Sequence, residues 1–484
     1  MGKFLATIPL ISGIKIKWQK AYFSKNHTYW KALLKELIHL QSISKEPHDQ
    51  DNLSVDKPWE KFKIVDNLNN IEPKTIEDKS PFKIVVNIEG LHSFLDNKKC
   101  FAESHKQIIK RIDLFKKKEY STVSDISLLI DKSDPYFEEH EKKALESFKP
   151  TPIFSIGLCH FEFNHYIGET TGLPLPEFLK PIGPHRVAKS VALNREGKLI
   201  INHLLSKKEN ERRILIDVKH SGPRARAAFY KLLDEFEEEH KEELIDEKGN
   251  KIKIPIICSH TGVSGFETLE ECYDAPDYYW SWKYAPYDKF NPMPINLCNE
   301  DIKIIYESGG LIGLLVEQRV LGDMRKIIGL FGKTKYHKRI IEFLNDNDLI
   351  TEFEEDFAPS TQIMLVHGIM FLDNLFQCIE VMNRTSDYWK TVKNKSWGDL
   401  GRTNPWDHVC IGSDFDGTID PIECCPSSKH LPDFKDFLKK LMSNPNIRKR
   451  YEYMPEIEDL DNCLHKLFYE NVRRFTVNQI RLNW

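Results

Sequence analysis

The chain has 484 residues, of which 69 are Lys or Arg and 73 are Asp or Glu, a formal charge of −4; a balance this close to neutral points to neither nucleic acid nor a membrane surface as partner. With 40% hydrophobic and 29% charged residues, the composition suits a globular protein with a sizeable core and excludes disorder, collagen-like repeats and a membrane-embedded bundle. The ten cysteines contain no C-x-x-C pair and are too sparse for a secreted disulfide framework, so free thiols in a reducing, cytoplasmic compartment are expected.

Seven short apolar runs follow one another along the chain, at 4–11, 83–90, 153–160, 214–220, 254–260, 311–317 and 409–415. Each has the length of a strand buried on both faces, and most of the intervals carry helical periodicity. That alternation predicts a parallel α/β fold. Helices are expected at 29–40 and 363–379, and another where Phe229, Leu232, Leu233 and Phe236 recur above an acidic outer face. Lys248-Gly249-Asn250 then turns the chain into the next run. Residues 41–80, polar and broken by Pro47, Pro58 and Pro73, read as an insertion. Residues 270–297, rich in Tyr, Trp and Pro, read as a rigid aromatic loop. His367 falls within a predicted helix and is read as a packed or surface histidine. The expected organisation is a single parallel α/β domain over residues 1–484.

The runs share a chemical feature at their ends. Glu89 closes the second, His160 the third, His220 the fourth, His260 the fifth and Asp414 the seventh. In a parallel barrel the C-terminal strand ends converge on one face, so side chains distant in sequence meet there. Glu89, His220 and His260 make a His₂Glu set, which with an open fourth position describes a catalytic zinc site. Asp414 adds a carboxylate for a second ion or for proton transfer. His160 either binds metal or donates a hydrogen bond to a developing oxyanion, and the second role is preferred.

The stretches Ile88-Glu89-Gly90-Leu91-His92-Ser93, Leu158-Cys159-His160, Ile216-Asp217-Val218-Lys219-His220, Cys258-Ser259-His260, Ile411-Gly412-Ser413-Asp414-Phe415-Asp416-Gly417 and Glu470-Asn471-Val472-Arg473-Arg474-Phe475 fall in this order. In that order they resemble the membrane (renal) dipeptidase family of zinc-dependent peptidases, over residues from about 80 onward. The resemblance implies a (β/α)8-type TIM barrel of the amidohydrolase kind, a bridging Glu89, His220 and His260 on one zinc, Asp414 on the other, and a His160 that faces substrate. The family opens with a strand bearing H-x-D or H-x-H, and neither pattern occurs here, so the expected barrel lacks its first strand. Of the family's two zinc ions, one is then expected to be well held, because Glu89 and Asp414 alone are too few ligands for the other.

The expected activity is hydrolysis of dipeptides by a metallo-dipeptidase, impaired in the chain as written. Arg319, just past the 311–317 run, is a candidate for the substrate carboxylate, with a structural salt bridge as the equal alternative. The aromatic loop either covers the site mouth or packs on the barrel. The other readings are a non-catalytic binding or scaffold protein and an amidohydrolase with another amide substrate. Expected partners are the small substrate and a second copy in a homodimer, with no nucleic acid and no membrane.

Overall fold

The structure is a computed structural model. It describes residues 28–43, 62–64, 82–95, 105–116, 129–131, 133–150, 152–160, 166–168, 170, 192–208, 211–246, 249, 251–273, 290–322, 335–354, 361–392, 404–415 and 420–483. The run at 4–11 and most of the 41–80 and 270–297 segments lie outside them.

The fold is mixed α/β. Two short strands, β1 (Phe62–Ile64) and β2 (Phe82–Ile84), pair in parallel. The other strands are also parallel, and neighbours follow the chain order in two sets: β3 (Val86–Glu89), β4 (Ile153–Gly157) and β5 (Leu215–Asp217), and then β6 (Ile257–Thr261), β7 (Leu311–Leu314) and β8 (Val409–Ile411). Six of the seven apolar runs are thus strands. The run at 83–90 divides between β2 and β3, and β1 stands within the segment read as a polar insertion.

The chain falls into two compact units, Met1–Glu169 with Leu193–Asp217 and Thr476–Trp484, and Thr170–Ala192 with Val218–Phe475. In the first unit β4 is buried along its whole length between β3 and β5, with Glu89 opposite Gly157 and Gly157 opposite Asp217. Burial on both faces explains why β4 reads as a continuous apolar run. Helices α1 (Tyr29–Ile43), α2 (His105–Lys116) and α3 (Arg195–Leu205) belong to the same unit. The Asn194 side chain caps α3 by accepting from Gly197 N at 2.7 Å, and Ile200, Ile201, Leu204 and Leu205 form its buried stripe. Each such aliphatic side chain stabilises the fold by roughly 1.5–3 kcal/mol through burial.

In the second unit β7 pairs with β6 and β8. Helix α4 (Pro223–Glu239) opens on proline, whose fixed φ and missing N–H suit a first helical position. It buries Phe229, Leu232, Leu233 and Phe236 while Asp234 and Glu235 face solvent. Gly249, at φ 80, makes the expected turn. Helix α5 (Asn299–Glu307) precedes β7. Helix α6 (Thr361–Val392) is longer than the apolar pattern predicts. Its segment Thr361–Tyr388 has the length and composition to cross a membrane, but 78% of its apolar window is buried inside the protein, as in a core helix. His367 on α6 is fully buried and its Nδ1 accepts from Glu423 N at 2.9 Å, so it is a packed histidine.

Candidate functional site

In the first unit β3 ends on Glu89. Gly90 follows at φ 98, a left-handed geometry that an L side chain rarely adopts, and swings the chain into the 3₁₀ turn Leu91–Phe94. His160 lies three residues beyond β4, with Nε2 3.4 Å from Glu89 Oε2. The His92 ring stacks on that of His160, centroids 5.8 Å apart at 15°, and meets the Tyr29 ring edge-on at 4.9 Å. A Cβ on Gly90 would overlap the His92 imidazole and approach His160 Cβ to 3.0 Å, so the glycine permits the two histidines to sit together. Sequence reasoning gave buried His92 no role. Its only signal was its place in the Glu89-Gly90-Leu91-His92-Ser93 motif.

In the second unit His220, His260 and Asp414 come together. The His220 and His260 rings are 5.2 Å apart at 65°, and His260 Nε2 is 3.9 Å from Asp414 Oδ2. His260 lies within β6, but His220 and Asp414 each stand three residues beyond the end of β5 and β8. Both are non-glycine residues with left-handed backbone, φ 63 and φ 52. Such conformations cost of order 1–3 kcal/mol each and persist where surrounding structure imposes them, which is common at functional sites. Ser259 Oγ is 2.8 Å from His260 Nδ1, and this contact fixes the ring so that Nε2 faces Asp414. A Cβ on Gly412 would collide with Ser259 O, so this glycine allows the chain leading to Asp414 to run against the His260 strand.

Arg319 lies on the short helix Gln318–Leu321, and its Nε donates to Glu317 Oε1. Glu317 also caps that helix, accepting from Val320 N at 2.8 Å, and from Asp420 N at 3.2 Å. The salt bridge weighed for Arg319 is therefore present. The nine described cysteines are buried and none is joined to another by a disulfide. Burial pushes the Cys410 thiol up to about 12, which removes it as a nucleophile near neutral pH.

No protein-family model matches this sequence, and no curated protein matches it. Solved structures do. The probable dipeptidase PvdM from Pseudomonas aeruginosa aligns at 13% identity and TM-score 0.40, over 87% of this chain and 75% of that one. An amidohydrolase from the same organism aligns at 10% identity and TM-score 0.36, over 87% and 79%. A metallopeptidase from Rhodobacter sphaeroides, solved with a phosphinate mimic of the dipeptide L-Ala-D-Ala, aligns at 13% identity and TM-score 0.33, over 74% of this chain and 61% of that one.

Proposed function

We propose that the chain is a metal-dependent hydrolase of small amides, with dipeptides as substrate class, zinc as the ion and a (β/α)8-type barrel as scaffold. The observation that carries this reading is the meeting of His220, His260 and Asp414 from three separate strands or the turns that follow them, two of the residues on left-handed backbone. Packing alone has no need of such a set.

The donor chemistry fits a zinc ion. Two neutral imidazoles, His220 and His260, with a carboxylate are the donor types of a three-ligand zinc site with an open position, and Glu89 is the carboxylate that the motif resemblance implies. When bound, the ion would polarise the scissile carbonyl and make water a stronger nucleophile near neutral pH. The remaining chemistry falls to side chains. His160 would donate a hydrogen bond to the oxygen that gains charge, and Asp414 would take the proton of the attacking water and deliver it to the leaving amine. Preference for dipeptides rests on the motif resemblance, and Arg319 is the proposed partner of the substrate carboxylate.

Metal analysis of the purified full chain, followed by assays on dipeptides, tests the reading. About one zinc per chain is expected, lost in His220→Ala or His260→Ala and kept in His160→Ala. Failure to bind zinc sinks the metal reading. Zinc binding without cleavage of any dipeptide sinks the substrate assignment.

A further inference from the structure

We propose that the buried Arg226–Asp301 ion pair is a positioning device for His220, which acts by clamping the backbone that follows that residue. The inference rests on the metal-site reading above and adds residues to it. Arg226 lies on the first turns of α4 and Asp301 on the first turn of α5, and their side chains are 1% and 0% exposed. The pairing is bidentate, with Arg226 Nε donating to Asp301 Oδ1 and Nη2 to Oδ2, both at 2.9 Å. Tyr230 OH donates to the same carboxylate at 2.8 Å, and Cys298 N does so at 3.0 Å. Burial works against the charge on Arg226, but the carboxylate outweighs it and holds the guanidinium protonated.

The remaining donors of Arg226 are aimed at backbone. Nη1 donates to Ser221 O at 2.8 Å and to Pro294 O at 2.9 Å, and Nη2 reaches Asn296 O at 3.4 Å. Ser221 follows His220 directly, so the first bond holds the chain at the carbonyl one residue past the left-handed His220. The other two hold the segment whose Asn296 side chain accepts from Gly262 N at 3.3 Å and donates to Val320 O at 3.0 Å. Gly262 stands two residues after His260. One guanidinium thus ties together the backbone beside both histidines. Five donors in a rigid plane suit this task, and an ammonium cannot reproduce them. A pair placed only for stability would not need its free donors turned on the His220 turn, because apolar groups of similar volume pack equally well.

The test is zinc affinity of the full-length chain by competition with a chromophoric chelator, together with the visible absorption of the cobalt(II)-substituted protein. Arg226→Lys keeps the charge opposite Asp301 but loses the fork. It should fold, with wild-type far-ultraviolet dichroism, bind zinc at least 10-fold more weakly, the lower end of the effect of losing a ligand-orienting partner, and show a shifted cobalt band. The double variant Arg226→Met with Asp301→Leu removes both charges and should show the same loss. Wild-type zinc affinity and cobalt spectrum in a folded variant would overturn the inference, as would failure of both variants to fold, since Arg226 would then serve the fold as a whole. If the unmutated chain binds neither metal, the metal-site reading has failed instead.

Discussion

Ser259 Oγ and His260 Nδ1 share a 2.8 Å hydrogen bond between neighbours in sequence. In a strand, successive side chains point to opposite faces, so this contact requires the local departure from regular pairing seen between Cys258 and Thr261, where the β6–β7 register shifts. The hydroxyl holds one ring nitrogen and leaves the other for Asp414 or an ion. Ser259→Ala should therefore weaken zinc binding by about 10-fold with little change in unfolding temperature. Chelator competition measures the first and calorimetry the second; unchanged affinity would show that the hydroxyl does not orient the ring.

Gly90→Ala should destabilise the chain twice over. The φ of 98 disfavours any L residue, and the new methyl would overlap the His92 ring. Backbone strain alone costs about 1–3 kcal/mol. Combining it with His92→Ala removes the overlap and leaves only the backbone term, so the double variant should lose less than the sum of the two single losses. Denaturant unfolding of the four proteins closes the cycle. Strict additivity would mean that the His92 ring yields freely.

The strands and their parallel order were legible because burial on both faces writes itself as unbroken apolar runs, as in 153–157. Their ends were less so. The runs at 153–160, 214–220 and 409–415 stop as strands at Gly157, Asp217 and Ile411, and a left-handed φ at His220 or Asp414 cannot continue a pleat. The coincidence of Glu89, His160, His220, His260 and Asp414 near strand ends was readable from residue type. His92 and Arg226 were not. His92 sits in a 3₁₀ turn with no periodic signal, and Arg226 looks like an ordinary helix-surface cation until α5 brings in Asp301, 75 residues away.

Lys116 offers a pH signature independent of the site. Its ammonium is buried at the end of α3, donating to His203 O and to Ser206 O at 2.7 Å, with Glu211 at 3.6 Å. Burial pulls its pKa down from 10.5 to about 8 despite the nearby Glu211 and Asp113 charges. Between those values the unfolded chain binds more protons than the folded one, so this group makes stability rise with pH from about 8 to 10.5. Subtracting the pH profile of Lys116→Met from that of the wild type isolates the effect. A flat or falling difference over that window contradicts it.

Asp373, fully buried on α6, gathers three partners from outside that helix: Tyr336 OH at 2.7 Å, Tyr451 OH at 3.1 Å, and Arg450 through Nε at 3.2 Å and Nη2 at 2.9 Å. Burial, reinforced by the Asp373 charge, raises both phenols well above the usual range, so they remain donors through mildly alkaline pH. Tyr336→Phe removes one donor but leaves the carboxylate three bonds, and should cost about 0.5–1.5 kcal/mol. Asp373→Ala strands a largely buried guanidinium and two buried hydroxyls at once, and should cost about 3–5 kcal/mol. Urea unfolding separates the two cases. If Asp373→Ala costs no more than Tyr336→Phe, Arg450 finds solvent when its partner is gone, and α6 is held by apolar packing rather than by this cluster.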